Sequence, residues 1–226
     1  MLDTKLQGDK PPAPDGAPEG AVISADTHRE NRIPSNQSRT KKWPVLDSGV
    51  QPDPGFLENW TLTLGGLTDS SLVLTRAEFE ALPRVKVFAD MHCVTRWSRL
   101  GNVWEGVSTK TLFDAAGVKP EAKFVKITAY DEPSTFFSGK SSWTTNLPLE
   151  WFLGEDCLFA DTHDGEPLTL EHGAPVRLVV PKLYAWKSAK WVKEVIFAEA
   201  DSPGYWERGG YHMLGDPWRE QRLRWD

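Results

Sequence analysis

The stretch ADMHCVTRWSRLGNVWEG places Cys93 between His92 and Arg96. A thiolate beside cationic groups forms more easily, and it can ligate a soft metal or attack carbon. A lone cysteine is more often a small buried hydrophobe, the reading that suits Cys157 in EDCLFA. A second run, HGAPVRLVVPKLYAWKSAKWVKEV, spans residues 172–195 and gathers Arg177, Lys182, Lys187, Ser188, Lys190 and Lys193 around small residues. Lysine, serine and backbone N–H groups on one loop suit a phosphate. A solvated basic face is the default for any lysine run, but Trp186 and Trp191 interleave this one, which favours the edge of a cleft. A third segment, SNQSRTKKWPV, offers Gln37, Thr40, Lys41 and Lys42 without hydrophobic periodicity.

Other familiar sites are missing. There is no HExxH helix or three-histidine cluster for a catalytic zinc, and no GxSxG elbow. GxGxxG and GxxxxGK[ST] loops are absent too. Glu155 and Asp156 read as surface charge beside a turn.

Elements must position these residues. Phe56 opens the body, and ENWTLTL (58–64) alternates as a strand that Gly65-Gly66 ends. Thr75 and Glu78 form a T-x-x-E capping box for a short helix that Pro83 stops. Arg84 to Met91 reads as a strand, with Cys93 just past its end. Ser108 caps a second helix, ended by Gly117. Residues 124–129, 175–180 and 192–198 read as strands, and 148–153 as a helical turn. Asp164-Gly165 joins 157–160 to 167–170 as a hairpin. Strands and short helices mix without regular alternation, which predicts an α+β domain.

The 226 residues, 39% hydrophobic, suffice for one sizeable core. A formal charge of −6 argues against nucleic acid or an anionic membrane as partner. Eleven tryptophans read chiefly as core residues and partly exposed platforms. Two cysteines make no disulfide framework, the N-terminus has no signal-peptide pattern, and no apolar run would cross a bilayer, so a cytoplasmic protein is expected. Residues 1–30, rich in Pro, Gly and Asp, are expected to be disordered or loosely wrapped, with the domain at 31–226.

MHCVTRWS resembles the metal-ligand motif of the sulfite-oxidase superfamily, especially its bacterial methionine sulfoxide reductase branch. HGAPVRLVVPKLYAWKSAKW resembles that superfamily's pterin-binding motif, and YWERGGYH the segment after it. Order and spacing agree from about Arg32 to the C-terminus. The resemblance implies a mixed-sheet α+β domain holding molybdenum on one molybdopterin, with Cys93 as the protein ligand. It implies pterin contacts at His172, Arg177 and Lys190, with Lys187 and Ser188 near the phosphate. It maps two contacts of the preceding arm to Thr40 and Lys42, and a further one to Thr145.

The chain also departs from the pattern. A sulfite oxidase places a tyrosine eleven residues before the histidine of HGAPVR, and Asp161 stands there. Only Arg96 is a candidate for the arginines that surround an anionic substrate, and Thr95 replaces the acidic residue of the reductase branch. Asp161 and Arg96 are therefore expected to face the substrate. The expected activity is oxygen-atom transfer to or from a small substrate such as a sulfoxide or N-oxide, served by an electron-transfer partner. The alternatives are a cysteine hydrolase pairing Cys93 with His92, His163 or His172, and a non-catalytic tryptophan-rich binding module.

Overall fold

The computed structural model describes residues 13–135 and 139–226. Its strands in chain order are β1 (Val22–Ile23), β2 (Ser38–Arg39), β3 (Thr61–Gly66), β4 (Leu72–Thr75), β5 (Arg84–His92), β6 (Trp97–Ser108), β7 (Phe124–Ala129), β8 (Ser134–Thr135), β9 (Gly139–Lys140), β10 (Thr144–Pro148), β11 (Leu158–His163), β12 (Glu166–Pro167), β13 (Arg177–Val179) and β14 (Val192–Ala198). The helices are short: α1 (Arg76–Glu80), α2 (Thr109–Ala115), α3 (Leu149–Phe152) and α4 (Tyr205–Arg208). One sheet runs β1-β5-β6-β11-β12, with β2 added to β6 and β13 to β11. The other runs β10-β7-β14-β3-β4. Both are mixed. β14 pairs parallel with β3 and antiparallel with β7, while β1 and β2 join antiparallel neighbours in parallel.

The five-stranded sheet is amphipathic. β7 alternates so that Val125, Ile127 and Ala129 point inward. They meet Leu62, Leu64, Val195 and Phe197, and the cluster continues through Phe79, Leu112, Phe152 and Phe159. β5 is different. Its last six residues, Val87 to His92, are all buried, as expected of a strand covered on both faces. The capping box of α1 is present: Thr75 Oγ1 accepts from Glu78 N, and Glu78 Oε2 accepts from Thr75 N. Ser108 Oγ likewise accepts from Thr111 N at the start of α2.

The longest strand, β6, forms a hairpin with β5 from Arg84↔Val107 to His92↔Ser98. Its tip carries Cys93. The N-terminal segment also departs from expectation. Residues 1–12 lie outside the described residues, but from Val22 onward the chain is knit into the body. β1 pairs with Val87 and Phe88, and Ser24 Oγ donates to the buried Asp156 at 2.6 Å. Arg32 makes a forked pair with the buried Asp90. A Pro/Gly-rich composition concealed these few anchoring residues.

Candidate active site

Four backbone and side-chain contacts hold Cys93 at the hairpin tip. Its N–H donates to Trp97 O at 2.9 Å, and its carbonyl accepts from Arg96 N at 3.0 Å and from Gln37 Nε2 at 3.0 Å. Thr95 Oγ1 donates to its sulfur at 3.1 Å. Arg222, from the C-terminal segment, donates to the carbonyl of the adjacent Val94. Burial pushes the thiol pKa up, and the Thr95 hydroxyl offsets part of that. The sulfur thus sits at the end of a buried strand, in a turn fixed from both ends of the chain.

Cys93 lines an open cleft. The second wall is the start of β13, with the HGAPVR turn before it and the loop that leads to β14. Arg177 is buried in it, donating from Nη1 to His172 O at 2.9 Å and from Nη2 to Ser188 O at 3.1 Å. Its Nε is buried with no protein partner. Gly173, at φ +108, brings the HGAPVR turn close: a Cβ there would lie 3.0 Å from Lys190 Cβ and 3.1 Å from Arg177 Cβ. Lys190 donates to Glu171 O at 2.9 Å and lies 3.8 Å from Asp47. The third wall is the arm. Trp43 stacks on His172 with ring centroids 3.7 Å apart and planes at 11°, and the Arg177 guanidinium lies 5.3 Å from the Trp43 ring.

Two cations, Arg177 and Lys190, and two carboxylates, Asp47 and Asp131, line this cleft. Burial lowers the Arg177 pKa to about 9. Burial, then repulsion from Arg177, lowers Lys190 to about 8 and His172 to about 4. No carboxylate forms a close ion pair with Arg177 among the described residues, and Asp131, which also lines the cleft, is raised by burial to about 6. An anion between Arg177 and Lys190 would relieve this cost and satisfy the orphaned Nε.

Five expected cofactor residues line this one cleft: Cys93, His172, Arg177, Ser188 and Lys190. Others do not. Lys187 turns away into the interior, where its ammonium contacts Glu207 and Asn146. Thr145 is buried in β10, its hydroxyl unpartnered and outside the cleft lining. Thr40 and Lys42 are also outside the lining. Thr40 Oγ1 accepts from Lys42 N in a local turn, and the residues after them, Trp43, Pro44, Leu46, Asp47 and Ser48, reach the cleft instead. Arg96 is exposed in a left-handed turn conformation, φ 73, while its neighbours Thr95 and Trp97 face the cleft.

Asp161 is placed elsewhere too. It lies at a register shift in β11 and makes a forked ion pair with Arg84, both N···O distances 2.6 Å. Arg84 begins β5 and Cys93 follows its end, so roughly 25 Å of strand separates them. The expectation that Asp161 and Arg96 face the substrate is therefore corrected. His92 is fully buried and directed at Ser98 and Trp218, and no histidine hydrogen-bonds the Cys93 sulfur among the described residues, which removes the pair a cysteine hydrolase needs.

Tyr211, Asp131 and Trp43 also line the cleft. Tyr211 lay in the quoted YWERGGYH segment and Trp43 in the arm, but no sequence signal marked Asp131.

The profile described as oxidoreductase molybdopterin binding domain matches residues 49–206. The oxidoreductase YuiH of Bacillus subtilis is 46% identical over 198 residues, covering 88% of this chain and 95% of that protein. The putative protein-methionine-sulfoxide reductase subunit YedZ1 of Azospira oryzae is 26% identical over 157 residues, 70% of this chain and 56% of that one. The crystal structure of the sulfane dehydrogenase SoxCD of Paracoccus pantotrophus superposes with a TM-score of 0.55 at 25% identity, covering 67% of this chain and 40% of that one.

Proposed function

The chain belongs to the molybdopterin-binding oxidoreductase family, and from that premise we propose that it transfers an oxygen atom to or from a small neutral substrate, with Cys93 as the protein ligand to molybdenum. The family's cofactor is molybdenum on molybdopterin, and when bound it supplies the two-electron oxygen-transfer chemistry. One observation carries the reading: Cys93, the buried Arg177, which has no carboxylate partner among the described residues, and Lys190 line the same cleft.

The residues present fit that group. The orphaned Arg177 Nε and the depressed Lys190 ammonium call for an anion such as the pterin phosphate, and the buried sulfur is a soft donor suited to molybdenum. Trp43 and His172 form a flat stacked pair against which a ring system can lie. Cys93, fixed at the hairpin tip, would hold the molybdenum, and Ser188 and Lys190 would hold the phosphate. His172, neutral at pH 7, donates or accepts hydrogen bonds there without adding charge.

The cleft lining next to Cys93, formed by Met91, Val94, Thr95, Trp97 and Tyr211, carries no charge, while the Arg222 guanidinium, bonded to Val94 O, lies close enough to favour the Cys93 thiolate. A neutral sulfoxide or N-oxide suits this uncharged lining, and Arg222 is the single cation that acts on the sulfur among the described residues. The two cysteines are free and buried, in keeping with a reducing compartment, and the cytoplasm is our assignment. Among the described residues no helix is long and apolar enough to cross a membrane.

Molybdenum analysis of purified protein, with turnover of a neutral sulfoxide and of sulfite, tests the reading. One molybdenum per chain and sulfoxide turnover with reduced viologen as donor are expected. Stoichiometric metal with efficient sulfite oxidation and no sulfoxide reduction would overturn the substrate assignment.

A further inference from the structure

The rim of the cleft carries a second charge feature, distinct from the cations inside. Arg39, Lys41, Lys42 and Arg96 are all exposed, and none lies within 4 Å of a carboxylate among the described residues. β2 runs parallel to the start of β6, pairing Ser38 with Trp97 and Arg39 with Ser98. Ser38 N donates to Arg96 O and Thr40 N to Ser98 O, so the two basic segments are bound side by side. Glu220 reaches this region through Asn36, from which it accepts at 2.7 Å, and lies 3.9 Å from Arg222. A chain of net charge −6 thus shows an unneutralised positive collar at one place.

That place adjoins the reacting centre. Lys42 precedes the cleft residue Trp43, and Arg96 stands between the cleft residues Thr95 and Trp97. Arg96 N donates to the carbonyl of Cys93 itself. A protein docked on this collar would lie a few residues from the sulfur.

We propose that the collar of Arg39, Lys41, Lys42 and Arg96 is the docking surface for an acidic one-electron carrier protein, an inference that rests on the oxygen-transfer reading above. Reduction of a neutral sulfoxide breaks the sulfur–oxygen bond and consumes two electrons and two protons, leaving the sulfide and water. The protons come from solvent. The electrons arrive in two successive deliveries, each oxidising one reduced carrier. Opposite charge steers such encounters and fixes their orientation, and salt weakens both. The overall negative charge repels an acidic carrier elsewhere on the surface, so the collar also selects the productive face.

The experiment compares holoprotein with the Arg39→Glu/Lys41→Glu double variant, since neither residue lines the cleft. Two donors are used with a neutral sulfoxide: reduced plant-type ferredoxin, which is acidic, and the methyl viologen radical cation. Binding of oxidised ferredoxin is followed separately by tryptophan fluorescence. The wild type should lose roughly tenfold or more of its ferredoxin-driven rate and affinity between low and high salt. The variant should start about tenfold lower and show a flat salt profile, with viologen-driven turnover within about twofold of wild type. Identical ferredoxin profiles in the two proteins would overturn the docking surface. So would salt-sensitive binding to phosphatidylserine vesicles without any to ferredoxin, which would make the collar a membrane contact. Absence of viologen-driven turnover in molybdenum-loaded wild type would sink the oxygen-transfer reading instead, whatever ferredoxin binding showed.

Discussion

Lys187 and Glu207 form an ion pair with an N···O distance of 2.5 Å, and both side chains are wholly shielded from solvent. Lys187 also donates to Asn146 O and Oδ1 at 3.0 and 3.1 Å, and Trp186 Nε1 donates to the same Glu207 oxygen at 2.9 Å. The pair therefore ties the cofactor loop to β10 and α4 from behind. Glu207→Ala would leave an uncompensated buried ammonium, at a cost of about 3–5 kcal/mol. Chemical denaturation should show that loss, and a smaller one for the Lys187→Met/Glu207→Leu double variant. Equal stability of wild type and Glu207→Ala would show that the pair does not hold the loop.

Cys93→Ser should keep the fold, because the replacement is similar in size and the turn is held by backbone bonds. A hydroxyl is a harder and far less acidic ligand. Sulfoxide turnover should fall at least a hundredfold, about 2.7 kcal/mol of transition-state stabilisation, with an altered molybdenum EPR signal. Turnover and EPR signal unchanged from wild type would remove Cys93 from the metal.

Arg177→Ala and Lys190→Ala should each lower cofactor retention more than they lower apo-protein stability. Charge-assisted hydrogen bonds contribute roughly 1.5–3 kcal/mol, which is about ten- to a hundredfold in affinity. Molybdenum and pterin content after dialysis is the readout. Removing one cation also relieves the other, since Arg177 helps depress Lys190. The apo-variants should therefore melt no lower than the loss of packing requires. Full retention in both would place the phosphate elsewhere.

Lys190 gives opposite pH slopes for the two states. Its pKa in the folded protein is about 8 against an ordinary 10.5. Between these values the unfolded chain holds more protons, so apo-protein stability should rise with pH across that window. A phosphate favours the protonated form. Retention should therefore be greatest below pH 8 and fall by up to about tenfold per unit above it, until the bound-state pKa is passed. Lys190→Met should flatten both curves. Parallel slopes in the wild type would contradict the assignment.

Much of the fold was legible because local chemistry dictates it. The Thr75–Glu78 box, the Ser108 cap and the β7 and β14 patterns all use near neighbours. β6 was not legible. It mixes buried Ser98 and Asn102 with half-exposed Arg99 and Leu100, because its neighbours change along its length. The same holds in the site. Cys93, His172, Arg177 and Lys190 sit in motifs whose spacing is set by one turn or one loop. Lys187 shares its motif with Lys190 but points the other way, and only the position of Glu207, twenty residues on, decides that. A residue count aligns Asp161 with a position in a relative, but it cannot show that Arg84 draws its side chain to the far end of the sheet.

That last placement makes a sharp prediction. Were Asp161 beside the metal, its charge would repel sulfite, and Asp161→Asn would improve sulfite turnover. The structure instead locks both its oxygens on Arg84, about 25 Å of strand from Cys93. Ionic screening at physiological salt acts over about 8 Å, so little of the charge would be felt at the sulfur. Asp161→Asn should leave the ratio of sulfoxide to sulfite turnover within about twofold of wild type. Its effect should appear in stability. The Arg84 guanidinium, whose pKa the Asp161 hydrogen bond raises, is partly exposed, which limits the loss to about 1 kcal/mol despite the forked geometry. Arg84→Gln should cost about the same, and the double variant no more than either alone, because the two side chains act as one unit. A tenfold gain in sulfite kcat/KM for Asp161→Asn would return the carboxylate to the substrate pocket and contradict the β5–β6–β11 arrangement that carries it away.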